Sequence, residues 1–225
     1  MVQSAMLPPQ VRGVWYPMTW EEFLEWSPSE GQAEWVDGKG IAYLSNSTLH
    51  GDRVVFLGQL LGLFCRVMDV GSVFFDNILI RLPNRPSGRM PDVMVVRREW
   101  VRERWVEGMA LIAIEFLSED SVHRDLVEKR AEFEGARIPE YPMIDGRPGQ
   151  REFHYLRLDE AGHYQEVEPD DQGRYHSAVL PGFWLDPNWF WEDPLPNVER
   201  LMMRFAPEAY RRYLTRLWDE ESAHP

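Results

Sequence analysis

The spacing of apolar residues changes several times along the chain, and each change marks an element. From Val54 to Met68 they fall at 54, 57, 60, 61, 64 and 68. That is one face of a helix, which Ser47 or Thr48 opens. Gly58 and Gly62 allow close packing on it at a small cost in helix stability. Upstream, Thr19 followed three residues later by Glu22 reads as the capping box of a short helix that buries Phe23, Leu24 and Trp26. Ala33 to Val36 and Ile41 to Leu44 read as strands joined by the turn Asp37-Gly38. Ser72 to Leu82 is β-rich with an Asp76-Asn77 interruption, and residues 83–90 read as a polar loop.

Val93 to Val96 is a short apolar strand, and a charged helix is predicted over 97–106. Ala110 to Leu117 is a second apolar strand, broken only by Glu115. A helix runs from Ser121 to about Ala136. Tyr141–Ile144, Arg151–Leu158, Tyr164–Val167 and Tyr175–Val179 supply further strands. Two helices, Asn197–Phe205 and Pro207–Glu221, end the chain. Strands and helices interleave irregularly, so the fold class is α/β (α+β), a mixed β-sheet core flanked by helices. Residues 1–18 are assigned to an N-terminal tail, 19–190 to the main domain and 191–225 to a C-terminal helical extension. In that extension Tyr210, Tyr213, Leu214, Leu217 and Trp218 form an aromatic stripe on an amphipathic helix. The stripe suits docking on its own core or building a homodimer.

Composition narrows the class. Of the 225 residues, 44% are hydrophobic and 27% charged, as in an ordinary globular chain. No apolar run is long enough for a membrane helix and no signal pattern opens the chain, so a cytoplasmic, membrane-free protein is expected. The one cysteine, Cys65, lies in an apolar helical stretch and reads as an inert core thiol. A net charge of −13 works against sequence-independent binding of nucleic acid. Seven arginines between Arg81 and Arg104 nevertheless form either a local basic face or a solvated surface.

Of 24 basic residues only two, Lys39 and Lys129, are lysine. Lys39 sits in a turn that accepts any polar residue. Lys129 sits on a helix where arginine would serve equally well, and lysine differs in being able to lose its proton. Asp92 opens one apolar strand and Glu115 lies inside another. A carboxylate in such a strand is costly unless it is paired or binds a cation. Two hard oxygen donors suit Mg²⁺, and a metal-bound water attacks phosphodiesters well. Lys129, on the following helix near Asp125 and Glu132, would orient or deprotonate that water. Glu34 is a further acidic candidate. His50 is an auxiliary candidate, with a surface histidine in a helical first turn as the plainer reading.

These residues resemble a known family in order and spacing. Glu34-x-x-Asp37-Gly38, His50, Pro91-Asp92, Glu115-Phe116-Leu117-Ser118, Arg124-Asp125-x-x-x-Lys129 and Ile138-Pro139-Glu140-Tyr141 together look like the Uma-two family. Its members are assigned to the PD-(D/E)xK restriction-endonuclease superfamily. The resemblance covers roughly residues 19–190. It implies a restriction-endonuclease-like core and a metal-dependent endodeoxyribonuclease acting on DNA, with Mg²⁺ or Mn²⁺ as cofactor and a homodimer as the working form. It assigns Asp92, Glu115 and Phe116 to the metal, Lys129 to catalysis and Glu34 to a supporting role. Leu117 stands where the superfamily usually has its lysine, and the resemblance displaces that lysine onto the next helix, to Lys129. Glu119-Asp120 adds acids beside the site. The competing reading is a catalytically inactive nuclease fold acting as an interaction or nucleic-acid-binding module.

Overall fold

The computed structural model describes residues 13–27, 32–43, 47–75, 78–83, 85–118, 121–145, 147 and 149–223. The first twelve tail residues, Leu44, Asp76-Asn77 and Glu119-Asp120 lie outside these. After β1 (Tyr16–Pro17), helix α1 (Trp20–Trp26) starts at the expected capping box. There the Glu22 N–H donates to Thr19 Oγ1 at 3.2 Å and the Thr19 N–H to Glu22 Oε2 at 2.8 Å. Strands β2 (Gln32–Val36) and β3 (Lys39–Tyr43) form the predicted hairpin. Both turn residues, Asp37 and Gly38, have positive φ, the conformation a two-residue hairpin needs. Helix α2 (Thr48–Met68) begins at Ser47, whose hydroxyl accepts the His50 N–H.

The β-rich stretch after α2 divides between two sheets: β4 (Ser72–Phe75) enters one and β5 (Leu79–Arg81) the other. The expected loop at 83–90 contains a strand, β6 (Ser87–Arg89), wholly buried between β2 and β5. Its polar residues conceal it from a hydrophobic reading, because their partners are buried charges. After β7 (Val93–Val96) the helix expected over 97–106 shrinks to one 3₁₀ turn at Arg98–Trp100. Arg102 N–H closes a turn on the Trp105 carbonyl, and β8 (Trp105–Glu107) pairs in parallel with β5. Burying Val106 at this sheet edge outweighs the helical preference of the charged residues before it.

Then come β9 (Ile112–Leu117), a π-helical stretch (Arg124–Lys129) that runs into α3 (Arg130–Gly135), and β10 (Glu140–Asp145). Strands β11 (Phe153–Leu158), β12 (Tyr164–Glu166), β13 (Tyr175–His176) and β14 (Trp184–Leu185) precede helices α4 (Val198–Phe205) and α5 (Pro207–Ser222). The mixed sheet expected from the sequence is two mixed six-stranded sheets, β1-β3-β2-β6-β5-β8 and β12-β11-β10-β9-β7-β4, plus the β13–β14 pair.

Strand alternation decides which side chains face which layer. In the second sheet Val93, Val95, Ile112, Ile114 and Phe116 pack against Leu57, Leu60, Leu61 and Phe64 of α2. Each of these α2 side chains is fully buried, a gain of about 1.5–3 kcal/mol apiece. The opposite face presents Met94, Val96, Ala113 and Leu117 to Phe133 and Ala136 of the α3 region. Leu201, Met202 and Phe205 of α4 and Tyr210 of α5 join the α2 cluster. From Leu214 onward α5 is exposed, with Trp218 at 76%. In the first sheet α1 lays Trp20, Phe23 and Trp26 on Ala33 and Trp35. A Cβ at Gly88 would sit 2.6 Å from the Trp20 ring, so only glycine lets that helix approach β6. Among the described residues no helix is long and apolar enough to cross a membrane.

Candidate active site

Glu115 shares the β9 face of Ala113 and Leu117, so it points to the layer between the sheet and the α3 region. Glu34 alternates with Ala33 and Trp35, which face α1, and so points away from α1. The π-helical stretch brings Lys129 between these two carboxylates. Its ammonium lies 2.7 Å from Glu115 Oε1, 3.3 Å from Glu34 Oε1 and 3.3 Å from Asp125 Oδ1. It also donates to the Met90 carbonyl at 3.1 Å. Asp92 sits beside them at the start of β7. Its Oδ2 accepts the Phe116 N–H at 2.7 Å, and Oδ1 lies 3.3 Å from His50 Nε2. Asp92, Glu115, Glu34, Asp125, Lys129 and Arg124 line one small cavity together with His50 and Tyr43.

Glu34 is held in turn by Arg89 and the Met90 N–H. The Arg89 guanidinium is fully buried and donates to Glu34 Oε2 at 2.9 Å and to Glu132 at 2.6 and 2.8 Å. Ser87 adds a 2.7 Å bond to Glu132. Strand β6 is thereby tied to α3, which carries Glu132, and the first sheet to the helix that carries Lys129. Arg124 lies with its guanidinium carbon 4.3 Å from the Tyr43 ring centroid.

Burial pushes the Glu34 carboxyl up, but Lys129, Arg89, Arg124 and the Met90 N–H outweigh it and bring its pKa down to about 2. Burial likewise favours the neutral form of Lys129. The carboxylates of Glu115, Glu34 and Asp125 outweigh that effect and keep the ammonium charged. Glu115 is held above the usual carboxylate range by burial, with Asp125 and Asp92 adding to it and Lys129 opposing. Among the described residues no three His, Cys, Asp or Glu side chains group closely enough to hold a metal unaided.

All four predicted side chains, Glu34, Asp92, Glu115 and Lys129, are thus brought to one cavity. Phe116 joins them through its main chain, and its ring packs edge-on to His50 at 5.8 Å. His50 is not a surface histidine: its side chain is 13% exposed, against Asp92. Of the seven arginines between 81 and 104, five are exposed, as in the solvated-surface reading, and Arg85 among them pairs with Asp37. Arg89 is interior, Arg81 and Arg97 lie over Trp20 and Trp100, and Arg98 pairs with Asp69. Arg102 and Arg104 donate to main-chain carbonyls. Sequence reasoning missed the structural importance of Arg89 and Glu132. A signal was available in Ser87 and Arg89, since alternate polar residues in a buried strand require buried partners.

The fold has a solved relative. A crystal structure described as a "putative nuclease belonging to DUF820" from Anabaena variabilis ATCC 29413 superposes with a TM-score of 0.62 at 14% identity. The match covers 78% of this chain and 98% of that one, and at this identity it speaks for the fold. No curated protein matches the chain. Residues 20–188 match the Uma2 family, described as "Putative restriction endonuclease", and the chain belongs to that family.

Proposed function

We propose that the chain is a Mg²⁺-dependent endonuclease that hydrolyses phosphodiester bonds in DNA, with Mn²⁺ able to substitute. One observation carries this reading: among the described residues, four carboxylates and two cations, Lys129 and Arg124, line the same cavity. The excess of two negative charges matches a divalent cation. Asp125 Oδ1 is buried there with an ion pair to Lys129 at 3.3 Å but no hydrogen-bond partner, and Glu115 is held above its usual range by burial, with Asp125 and Asp92 adding to it. A cation beside them relieves both strains. Asp92 and Glu115 would hold it, with the Phe116 carbonyl and waters completing an oxygen-rich set of the kind Mg²⁺ prefers. When bound, the metal supplies Lewis acidity toward a phosphoryl oxygen and a water of lowered pKa.

The chain's own residues prepare that chemistry. The Phe116 N–H fixes one oxygen of Asp92, and His50 flanks the other. Glu34, anchored by Arg89 and the Met90 N–H, holds Lys129 from the side opposite Glu115. The Lys129 ammonium, its donors taken up by Glu115, Glu34, Asp125 and the Met90 carbonyl, offsets through space the charge that develops on the phosphoryl group. Purified protein is incubated with supercoiled plasmid and linear DNA in Mg²⁺, Mn²⁺ or Ca²⁺. Nicking or linearisation in Mg²⁺ and Mn²⁺ is expected, together with its loss in Asp92→Asn. Metal binding by calorimetry without cleavage of any DNA would overturn the enzymatic reading and leave a metal-binding interaction module.

A further inference from the structure

Of the cations at the site, two are fully engaged. Lys129 contacts Glu115, Glu34, Asp125 and the Met90 carbonyl. Arg89 contacts Glu34, Glu128 and Glu132. Arg124 differs. Among the described residues its guanidinium makes no hydrogen bond, and its Nε is out of solvent without a hydrogen-bond acceptor. The nearest carboxylate oxygens, on Asp125 and Glu34, are 3.6 and 4.0 Å from Nε, beyond hydrogen-bond reach. The group is nonetheless held in place. It lies over the Tyr43 ring, and the Tyr43 hydroxyl is itself tied to Glu34 at 3.2 Å. A planar fork of donors is thus fixed at the wall of the cavity that contains Asp92 and Glu115, with its side chain 22% exposed.

We infer that Arg124 is the oxyanion-receiving group of this site and that its ligand is a phosphodiester. The guanidinium donates N–H bonds to non-bridging phosphoryl oxygens, a pairing for which its fork geometry is suited and an ammonium is not. Its position answers a problem the site creates for itself. Four carboxylates repel a phosphate, and Lys129 is too closely held by three of them to turn toward a ligand. Arg124 is then the cation with donors to offer. The identity of the oxyanion rests on the nuclease reading above; the existence of an oxyanion site does not.

Dimethyl phosphate serves as an inert phosphodiester in a titration of ¹⁵N-labelled protein with Mg²⁺ present, following the arginine Nε–H resonances. The Arg124 signal, identified by its loss in Arg124→Lys, is expected to shift saturably. Arg124→Gln should weaken dimethyl phosphate about tenfold or more, and Arg124→Lys by less, since it keeps the charge and loses the fork. With Ca²⁺ in place of Mg²⁺, the slope of log K against log salt for a DNA duplex should fall by about 0.9 in Arg124→Gln, one phosphate contact. An unmoved Arg124 resonance, or equal dimethyl phosphate affinity in Arg124→Gln, overturns the inference. Equal affinity with a lowered urea midpoint identifies Arg124 as an offset for Asp125 and Glu34 only. If dimethyl phosphate moves the Arg124 resonance but no DNA is cut, the oxyanion site stands and the nuclease reading fails. If Arg124→Gln cuts DNA with unchanged KM, the reverse holds.

Discussion

The buried carboxylate of Glu140 and the buried carboxylate cluster around Glu115 differ in how completely their hydrogen bonds are satisfied. Glu140, at the start of β10, has no exposure and four donors. Oε1 accepts from Arg157 Nε at 3.0 Å and the Ala178 N–H at 2.7 Å. Oε2 accepts from the Tyr155 hydroxyl at 2.8 Å and the Ser177 hydroxyl at 2.6 Å. Nothing is left over. The cluster around Glu115 and Lys129 is just as deep but incomplete, with Asp125 Oδ1 and Arg124 Nε both in ion pairs yet without a hydrogen bond. A closed network serves packing: it pins the segment around Ser177–Leu180 to the second sheet. A network with orphaned groups carries a cost that folding alone does not explain. Glu140 belongs to the same ordered motif set as Asp92 and Glu115, yet its geometry marks it as structural.

The contrast is most directly broken at Glu140. Removing it in Glu140→Ala leaves Arg157, Tyr155 and Ser177 without their acceptor, and urea unfolding should show a loss of roughly 3–5 kcal/mol. Metal affinity of the folded fraction should not change. A loss under about 1 kcal/mol would mean that satisfaction of this carboxylate does little for the fold.

Next in size is the pH dependence due to Glu34. Its folded pKa of about 2 lies below the ordinary value of 4.5. The group therefore stabilises the native state fully above its unfolded pKa, and that contribution is lost as pH falls from 4.5 toward 2. The shift corresponds to about 3 kcal/mol. Comparing acid unfolding of Glu34→Gln with the parent chain isolates it: the variant should have a flatter stability profile across that window. Identical profiles would show that Lys129 and Arg89 do not hold Glu34 ionised.

At the incomplete cluster the effect falls on function instead. Glu115→Gln should lower Mg²⁺-dependent cleavage by about 100-fold or more. Its stability should stay within about 1 kcal/mol of the parent or rise, because one of several clustered charges is removed while Lys129 keeps Glu34 and Asp125. Differential scanning calorimetry alongside plasmid nicking separates the two outcomes. A large loss of stability would place Glu115 with Glu140 among the structural acids.

The smallest effect is expected at Cys65. Burial pushes its thiol up to about 12, with Arg98 and Arg66 opposing. Thiol reagents at pH 8 should leave the native protein unlabelled and react fully only in urea. Rapid native labelling would show that the α2 core opens far more often than its packing implies.

Local chemistry was readable from the residues alone. The Thr19 capping box, the Asp37-Gly38 hairpin and the Ser47 cap depend on neighbours a few positions away, so their side chains and dihedrals are encoded on the spot. The α2 stripe and the β9 core were legible because a single buried face imposes a period. Asp92, Glu115, Glu34 and Lys129 emerged from charge set into apolar surroundings and from the order of the motifs. Tertiary structure alone decided the rest. Ser87–Arg89 is a strand because β2 and β5 flank it, and Val106 is buried because β8 lies against β5. His50 meets Asp92 only when the cap of α2 abuts the start of β7. Strand pairing and the meeting of charges join residues far apart in the chain, and their energy resides in the contact rather than in either partner. From sequence Arg89 reads as one of seven arginines of a basic face or solvated surface; it becomes the link between the first sheet and α3 once Glu34 and Glu132 close around it.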